Sequence, residues 1–281
     1  YMRHVSGIPP ERILPMTYTV AAARDMQARY AALFGAEEAG QFAFRTINGV
    51  CSRIIRRYER MLGRTAFRLL EDGGEKTALI GELYRAQSGE FATESTVKSL
   101  QTALTYAKNQ MLQGNALTQI EVEGVDFAAF FAAYNKALRA RQQMDYDDQM
   151  VYALRILRQY PEVLRAVQAQ YRYFCVDEAQ DTSKIQHAVI QLLAGQDGNL
   201  FLVGDEDQSI YGFRAAYPQA LTEFDKVYPH AKVLYMEQNY RSTRQIVEVA
   251  DAFIQKNRNR RPKHMRATQG DGPAVRAHPV Y

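Results

Sequence analysis

Cysteine is nearly absent: two residues, Cys51 and Cys175, in a chain of 281. That excludes a disulfide framework, and neither cysteine has the CxxC or Cys/His neighbours that a zinc site needs. Both are expected to be reduced packing residues. Also missing is any apolar run of about eighteen residues, the length a membrane-crossing helix requires. The opening stretch, YMRHVSGIPPERIL, has neither the apolar segment nor the cleavage site of a secretory leader. No membrane partner is expected, and a cytoplasmic location follows by default. There is no repeat period and no low-complexity tract. What is present is 47% hydrophobic residues, enough for a substantial core in one large domain or two ordinary ones.

Excess charge is small as well. The formal net charge of +4 permits nucleic-acid binding without arguing for it. Its distribution says more. Between Arg45 and Arg68 stand seven arginines (45, 53, 56, 57, 60, 64 and 68) against a single acid, Glu59. Arg53, Arg57, Arg60 and Arg64 fall at helical spacing, opposite Ile54, Ile55, Tyr58, Met61 and Leu62. A second run, KNRNRRPKHMR from Lys256 to Arg266, has six Lys/Arg and no acid. The simplest expectation is a solvated helix face for the first and a solvated surface or mobile segment for the second.

Along the chain, Ile13 to Thr19 reads as a short apolar strand, in which Pro15 is awkward because it donates no ladder hydrogen bond. A helix follows, with Ala22, Met26, Tyr30 and Leu33 on one face before Gly35. From about Thr65 to Arg141 the patterns are helical. The clearest has Phe127, Phe130, Phe131, Tyr134 and Leu138 after a cap at Asp126, and the stretch reads as a helical insertion. After Tyr146 come a helix near Gln149 to Arg158, the strand YRYFCV, and a helix from Ser183 to Leu193. The strand NLFLVGD, a helix near Gln219 to Val227 and the strand KVLYM complete the pattern. Short apolar strands alternating with helices predict an α/β fold, a parallel sheet covered on both faces with its chemistry at the carboxyl ends of the strands.

Polar residues cluster at those ends. Asp177 and Glu178 follow Phe174-Cys175-Val176, so two adjacent carboxylates emerge where the strand stops. In a phosphate-cleaving site one such carboxylate holds Mg2+ through its water shell and the other takes a proton from the attacking water. A lone Asp-Glu pair is weak, being common in exposed turns. Here the next strand ends in GDEDQSIYGFRAA, bringing Asp205, Asp207 and Gln208, with Tyr211, Phe213 and Arg214 beyond. Gln208 can report a terminal phosphate, and the aromatic rings and Arg214 can stack on unpaired bases. The third strand ends in EQNYRST, where Arg241 can stabilise charge on a transferring phosphoryl group and Tyr240 offers a flat face to adenine.

At these residues a family resemblance emerges. VDEAQDTS (176–183), GDEDQSIYGFRAA (204–216) and NYRST (239–243) closely resemble motifs II, III and IV of superfamily 1 DNA helicases of the UvrD, Rep and PcrA type. TYTVAAARDM (17–26) looks like motif Ia, TINGVCSRII (46–55) like motif Ib, and MDYDDQM (144–150) like the acidic segment where the chain re-enters the motor core. The resemblance implies a 3'-to-5' translocase that uses ATP and Mg2+ to move along single-stranded DNA and open duplex junctions. Carried over by position, Asp177 is the magnesium residue, Glu178 the catalytic base, Gln208 the coupler of terminal phosphate to DNA grip, Tyr240 the adenine platform and Arg241 a cis arginine finger. Thr17, Tyr18, Asn48, Tyr211, Phe213 and Arg214 are implied to meet single-stranded DNA.

It also implies a RecA-like P-loop NTPase sheet forming a motor domain, 1A, from residues 1–64 and 142–232. A helical insertion, 1B, takes 65–141, and 233–281 begin a second RecA-like domain, 2A. Departures are visible. Val20 and Ala21 replace the usual asparagine and lysine of motif Ia, Ile47-Asn48 replaces a Phe-His pair, and Phe213 stands for tryptophan. No GxxxxGK[ST] phosphate loop occurs, and motifs V and VI have no counterpart. The favoured expectation is a piece of a longer active enzyme, inactive by itself. The alternatives are a catalytically dead DNA-binding or interaction module of the same fold, or the helicase part of a helicase-nuclease.

Overall fold

Five consecutive buried residues, Ile13–Thr17, form β1, the strand around which the sheet is laid. The computed structural model describes residues 1–63, 65, 67–70, 73–195, 199–210, 212 and 215–276. After β1 come α1 (Val20–Phe34), α2 (Ala36–Gln41), β2 (Arg45–Thr46) and α3 (Ile47–Leu62). A helical segment follows, with β3 (Arg68–Leu69), α4 (Gly73–Ser88), α5 (Glu94–Asn109), α6 (Phe127–Ala140) and β4 (Gln143–Met144). The chain returns through α7 (Tyr146–Gln159), α8 (Pro161–Gln170), β5 (Tyr173–Val176), α9 (Lys184–Ala194) and β6 (Asn199–Leu202). It continues as α10 (Gln219–Thr222), α11 (Phe224–Val227), β7 (Gln238–Asn239), α12 (Arg244–Ile254) and β8 (Arg266–Ala267).

The main sheet has the order β2-β1-β5-β6 with every pairing parallel, so the fold is α/β, a parallel sheet flanked by helices. Its register places Met16 beside Val176 and Val176 beside Leu202. The carboxyl ends of β1, β5 and β6 therefore lie in a row. Pro15 is accommodated by the shortness of β2. The carbonyls of Arg12 and Met16 accept from Arg172 and Asp177 on the β5 side. Backbone groups alternate along a strand, so Pro15 faces the other side, where β2 pairs only with Met16 and Thr17. The missing N–H costs no ladder bond there.

α3 begins where β2 ends, because Thr46 Oγ1 accepts the Gly49 amide at 3.0 Å and caps the helix. Ile47, Val50, Cys51, Ile54 and Ile55 recur at helical spacing and enter the main core with Leu14, Met16 and Phe174. Burial pushes the Cys51 thiol up to about 12, as suits an inert packing residue. The inserted helices have a separate core that includes Leu79, Ile80, Leu100, Leu104, Phe130 and Leu138. Asp126 caps α6 as expected, accepting the Ala129 amide at 3.0 Å. β3 and β4, at the two ends of the insertion, pair in parallel. No helix among the described residues is long and apolar enough to cross a membrane.

Some expected elements differ. KVLYM is not a strand: residues 232–236 pair with no strand among the described residues, and Leu234 and Met236 are 79% and 82% exposed. A continuous apolar strand belongs to a sheet only when neighbours satisfy its backbone groups. The short β7 instead pairs with β8 in a separate two-stranded sheet. The helix expected near 219–227 is divided at Glu223, and Leu33 of α1 is exposed rather than inward.

The insertion is joined to the main core by a buried charge network. Lys108 of α5 places Nζ 3.0 Å from Asp145 Oδ2 and 2.8 Å from Asp148 Oδ1, with Lys76 Nζ 3.2 Å from the same Asp145 oxygen. Tyr134 of α6 donates to Asp145 at 3.0 Å, and Asn109 donates to Asp147 at 2.7 Å. Burial alone would lower the Lys108 pKa, yet the charges of Asp145 and Asp148 raise it overall, so the ammonium is retained. Burial likewise opposes ionisation of Asp145, but Lys108 and Lys76 hold it well below the usual carboxylate range. Removing one partner leaves the others buried and uncompensated. Lys108→Met is expected to cost about 3 to 5 kcal/mol. A urea-unfolding midpoint unchanged from wild type would rule this out.

Candidate functional site

β5 delivers Asp177 half-buried and Glu178 exposed at its carboxyl end. Glu178 has a left-handed backbone, φ 51 and ψ 43, which costs a residue with a Cβ about 1 kcal/mol or more. Two hydrogen bonds hold the turn. The Glu178 amide donates to Asp177 Oδ1 at 3.0 Å, and the Ala179 amide donates to the Val203 carbonyl at 2.9 Å. Asp177 Oδ2 has no partner among the described residues. This donor set suits Mg2+, which takes one or two carboxylates, keeps several waters and draws its other oxygens from substrate phosphates. Among the described residues no group of three or more His, Cys, Asp or Glu forms a cage for a metal by itself.

Gln180, 2% exposed, ties this turn to the next. Its Nε2 donates to Glu178 Oε2 at 2.6 Å and its Oε1 accepts the Asp205 amide at 3.0 Å. A carboxylate only accepts and an amide N–H only donates, so the orientation of the Gln180 side chain is determined. Gly204 makes room for it: a Cβ there would stand 2.7 Å from Gln180 Oε1 and 2.8 Å from Leu221 Cδ1. The 3-10 turn Glu206–Gln208 then carries Gln208, exposed, its Nε2 donating to Asp205 Oδ2 at 2.9 Å.

Three consecutive acids in this turn repel one another, and the run from Lys256 to Arg266 compensates them. Lys263 Nζ lies 2.6 Å from Asp205 Oδ1, 2.9 Å from Glu206 Oε2 and 3.3 Å from Asp207 Oδ2. Arg260, its side chain buried, grips Asp207 through Nε at 2.8 Å and Nη2 at 2.7 Å. Arg261 ion-pairs with Asp225 at 2.6 Å and donates to the Leu221 and Thr222 carbonyls at 3.0 Å. The expectation of a solvated or mobile run is therefore corrected for these three residues, because an acidic loop lies within reach of them. Burial would raise the Asp205 pKa, but Lys263 and Gln208 together lower it. Gln180, Arg260 and Lys263 were not among the residues expected from sequence. The available signal was complementarity, an acid-free basic run and a DED triplet.

The other expected residues are placed unevenly. Thr17 is 1% exposed and donates Oγ1 to the Thr19 carbonyl at 3.0 Å, so it shapes the turn after β1 and offers no surface to DNA. Tyr18 is half-buried beside it. Asn48, half-buried in the first turn of α3, points Nδ2 at the Tyr146 carbonyl at 3.5 Å. Tyr240 is 64% exposed, with its hydroxyl on Gln238 Oε1. Asn239 Oδ1 accepts the amides of Arg241 and Ser242, fixing the turn from which Arg241 projects, and the exposed guanidinium has no partner among the described residues. Tyr211, Phe213 and Arg214 lie outside the described residues.

Beneath the acid pair, Thr182 Oγ1 donates to the Ala179 carbonyl at 2.6 Å and also contacts His187 Nε2 of α9. The hydroxyl hydrogen is already committed, so His187 donates from Nε2. Burial pushes its pKa down to about 4 from 6.5. Between those values the unfolded chain binds a proton that the folded chain does not. The contribution of His187 to stability is thus full above pH 6.5 and falls by about 3 kcal/mol toward pH 4. Thermal unfolding followed over that range should show the slope in wild type and a flatter profile in His187→Gln; parallel profiles would exclude His187 as the source. For the acidic turn, Lys263→Met is expected to accelerate amide exchange at Asp207 and Gln208 by about tenfold or more, the scale of charge-assisted hydrogen bonds worth about 1.5–3 kcal/mol. Equal protection in both proteins would count against the clamp.

Comparison with known proteins identifies the family. Residues 1–229 match the family described as UvrD/REP helicase N-terminal domain. The chain is 34% identical over 272 residues to an ATP-dependent DNA helicase PcrA of Leuconostoc citreum, covering 95% of this chain and 36% of that protein. It is 31% identical over 280 residues to the protein of the same name from Staphylococcus epidermidis, covering 98% and 38%. The chain thus spans a little over a third of the length of these curated relatives. With its first 229 residues matched and its strand-end acids positioned as described, the chain belongs to the UvrD/REP helicase family.

Proposed function

We propose that this chain forms the ATP- and DNA-handling centre of an ATP-dependent DNA helicase, coupling ATP hydrolysis to 3'-to-5' movement along single-stranded DNA and the opening of duplex junctions. The observation that carries the reading is the hydrogen-bonded path Glu178–Gln180–Asp205–Gln208, which links a strand-end acid to the exposed glutamine of the next turn. The names of the relatives support the coarse activity, and the motif positions support its direction.

In this reading Asp177 would hold Mg2+. When bound, the ion supplies charge neutralisation at the phosphate oxygens. Glu178, oriented by Gln180, accepts the proton of the attacking water through its free oxygen. Gln208 senses the terminal phosphate, Tyr240 stacks on adenine and Arg241 stabilises the charge that develops on the transferring group. Tyr18, Asn48, Tyr211, Phe213 and Arg214 meet the single strand, while Thr17 supports that surface from below. Residues 1–64 and 142–232 form motor domain 1A, 65–141 insertion 1B, and 233–281 belong to domain 2A.

A phosphate loop is absent from these residues, which favours a chain that binds DNA without turning over ATP by itself. DNA-stimulated ATPase from the pure chain would contradict this. In the complete protein, Glu178→Gln is expected to keep nucleotide binding and lower turnover on the order of 1,000-fold. Near-normal turnover would remove Glu178 from the catalytic role.

A further inference from the structure

Below the two residues of β2, the outer side of β1 has no neighbouring strand among the described residues, and a small cavity of about 50 Å³ opens there between α3 and the end of α8. Its floor is apolar and buried: Leu14, Val50, Ile54, Val167 and Tyr171 are all at or below 7% exposure. Its rim is Arg45, Arg53, Arg57 and Arg60 with Gln170. None of the four guanidiniums has an ion pair or hydrogen bond among the described residues. Glu59, the acid of this helix, lines a different cavity on the other flank with Tyr58 and Tyr160. The site lies toward the amino-terminal edge of the sheet, where Tyr171 precedes β5, away from the strand ends that carry Asp177 and Gln208.

Four unpaired guanidiniums around one cavity repel one another unless an anion joins them. The volume is room for on the order of four waters, the size class of one tetrahedral anion. Arginine presents a planar fork that matches phosphate oxygens in pairs. The row extends beyond one anion. Arg53 to Arg60 covers about 10 Å of helix at about 1.5 Å per residue. One DNA strand places a phosphate about every 3.4 Å of its axis, so the row spans about three phosphates. The rim lacks the exposed aromatic or aliphatic anchor on which a protein interface depends, which favours a polyanion over an acidic protein segment.

We infer that this arginine row is a second nucleic-acid contact, in which the cavity seats one backbone phosphate and the flanking guanidiniums engage its neighbours. The contact is independent of sequence and holds DNA on the side of the sheet remote from the crevice.

The test is a titration of the chain with a fluorescein-labelled 20-base-pair duplex at several salt concentrations, comparing wild type with the variant Arg53→Gln, Arg57→Gln, Arg60→Gln. The slope of log affinity against log salt is expected to shrink in magnitude by about 2 to 3, at about 0.9 for each phosphate that is no longer neutralised. A charge-matched control, Arg24→Gln, Arg139→Gln, Arg158→Gln, removes three exposed and scattered arginines and is expected to change it by less than 1. An unchanged slope in the row variant, or an equal change in the control, overturns the proposal. So does a row variant that keeps its DNA slope while losing affinity for a polyglutamate peptide. Should the triple variant melt well below wild type, Arg57→Gln alone serves, with a slope change of about 0.9 expected. The crevice residues are intact in every variant, so failure here leaves the reading of the ATP site standing.

Discussion

One buried amide side chain organises the strand-end crevice. Gln180 presents its two ends to two different loops, an acceptor to the backbone of Asp205 and a donor to the carboxylate of Glu178. An unpaired amide at that depth would cost about 1 to 3 kcal/mol, so each loop is held where it satisfies the glutamine. The close approach that this requires excludes a Cβ at Gly204. The left-handed backbone of Glu178 is part of the same constraint, since it turns the chain sharply enough for Gln180 to reach back between the strands. A change in the position of one loop is therefore felt by the other.

Crowded negative charge is compensated at two other places. Asp145, Asp147 and Asp148 meet Lys108 and Lys76 where the helical insertion joins the core, and Asp205, Glu206 and Asp207 meet Lys263 and Arg260 beside the crevice. In each case the cations arrive from a distant stretch of chain. Buried ion pairs of this kind contribute little net stability compared with apolar packing, but they strongly penalise any arrangement in which a charge is left alone. They consequently act as joints that admit one geometry. The arginine row on α3 is the opposite case, a set of like charges that no acid among the described residues compensates. Charges left uncompensated among the described residues suit a partner from outside, a phosphate polymer.

Much of the fold was legible in the amino-acid sequence. Continuous apolar runs at Ile13, Tyr173 and Asn199 became parallel strands; β1 is buried along its whole length, as a strand covered on both faces is, whereas the edge strand β6 leaves Phe201 57% exposed. KVLYM carries the same apolar signal and forms no strand, since strand formation also depends on a neighbour that composition does not reveal. Thr17 fits the pattern of a DNA-facing residue, yet its hydroxyl is turned inward to the Thr19 carbonyl. A motif position states which residue is present and leaves open which way its side chain points.

By itself, then, the sequence determined the α/β class, the strand-end positions of Asp177, Glu178 and Gln208, and the resemblance that led to the family. These depend on local order, the period of apolar residues and the residues that follow a strand. Tertiary structure alone decided that Gln180 bridges two turns, that Lys263 meets an acid 58 residues earlier in the chain, and that the shortness of β2 leaves a gap rimmed by arginine. Those outcomes depend on which distant segments the chain path brings within hydrogen-bond range, and separation along the sequence carries no record of that distance.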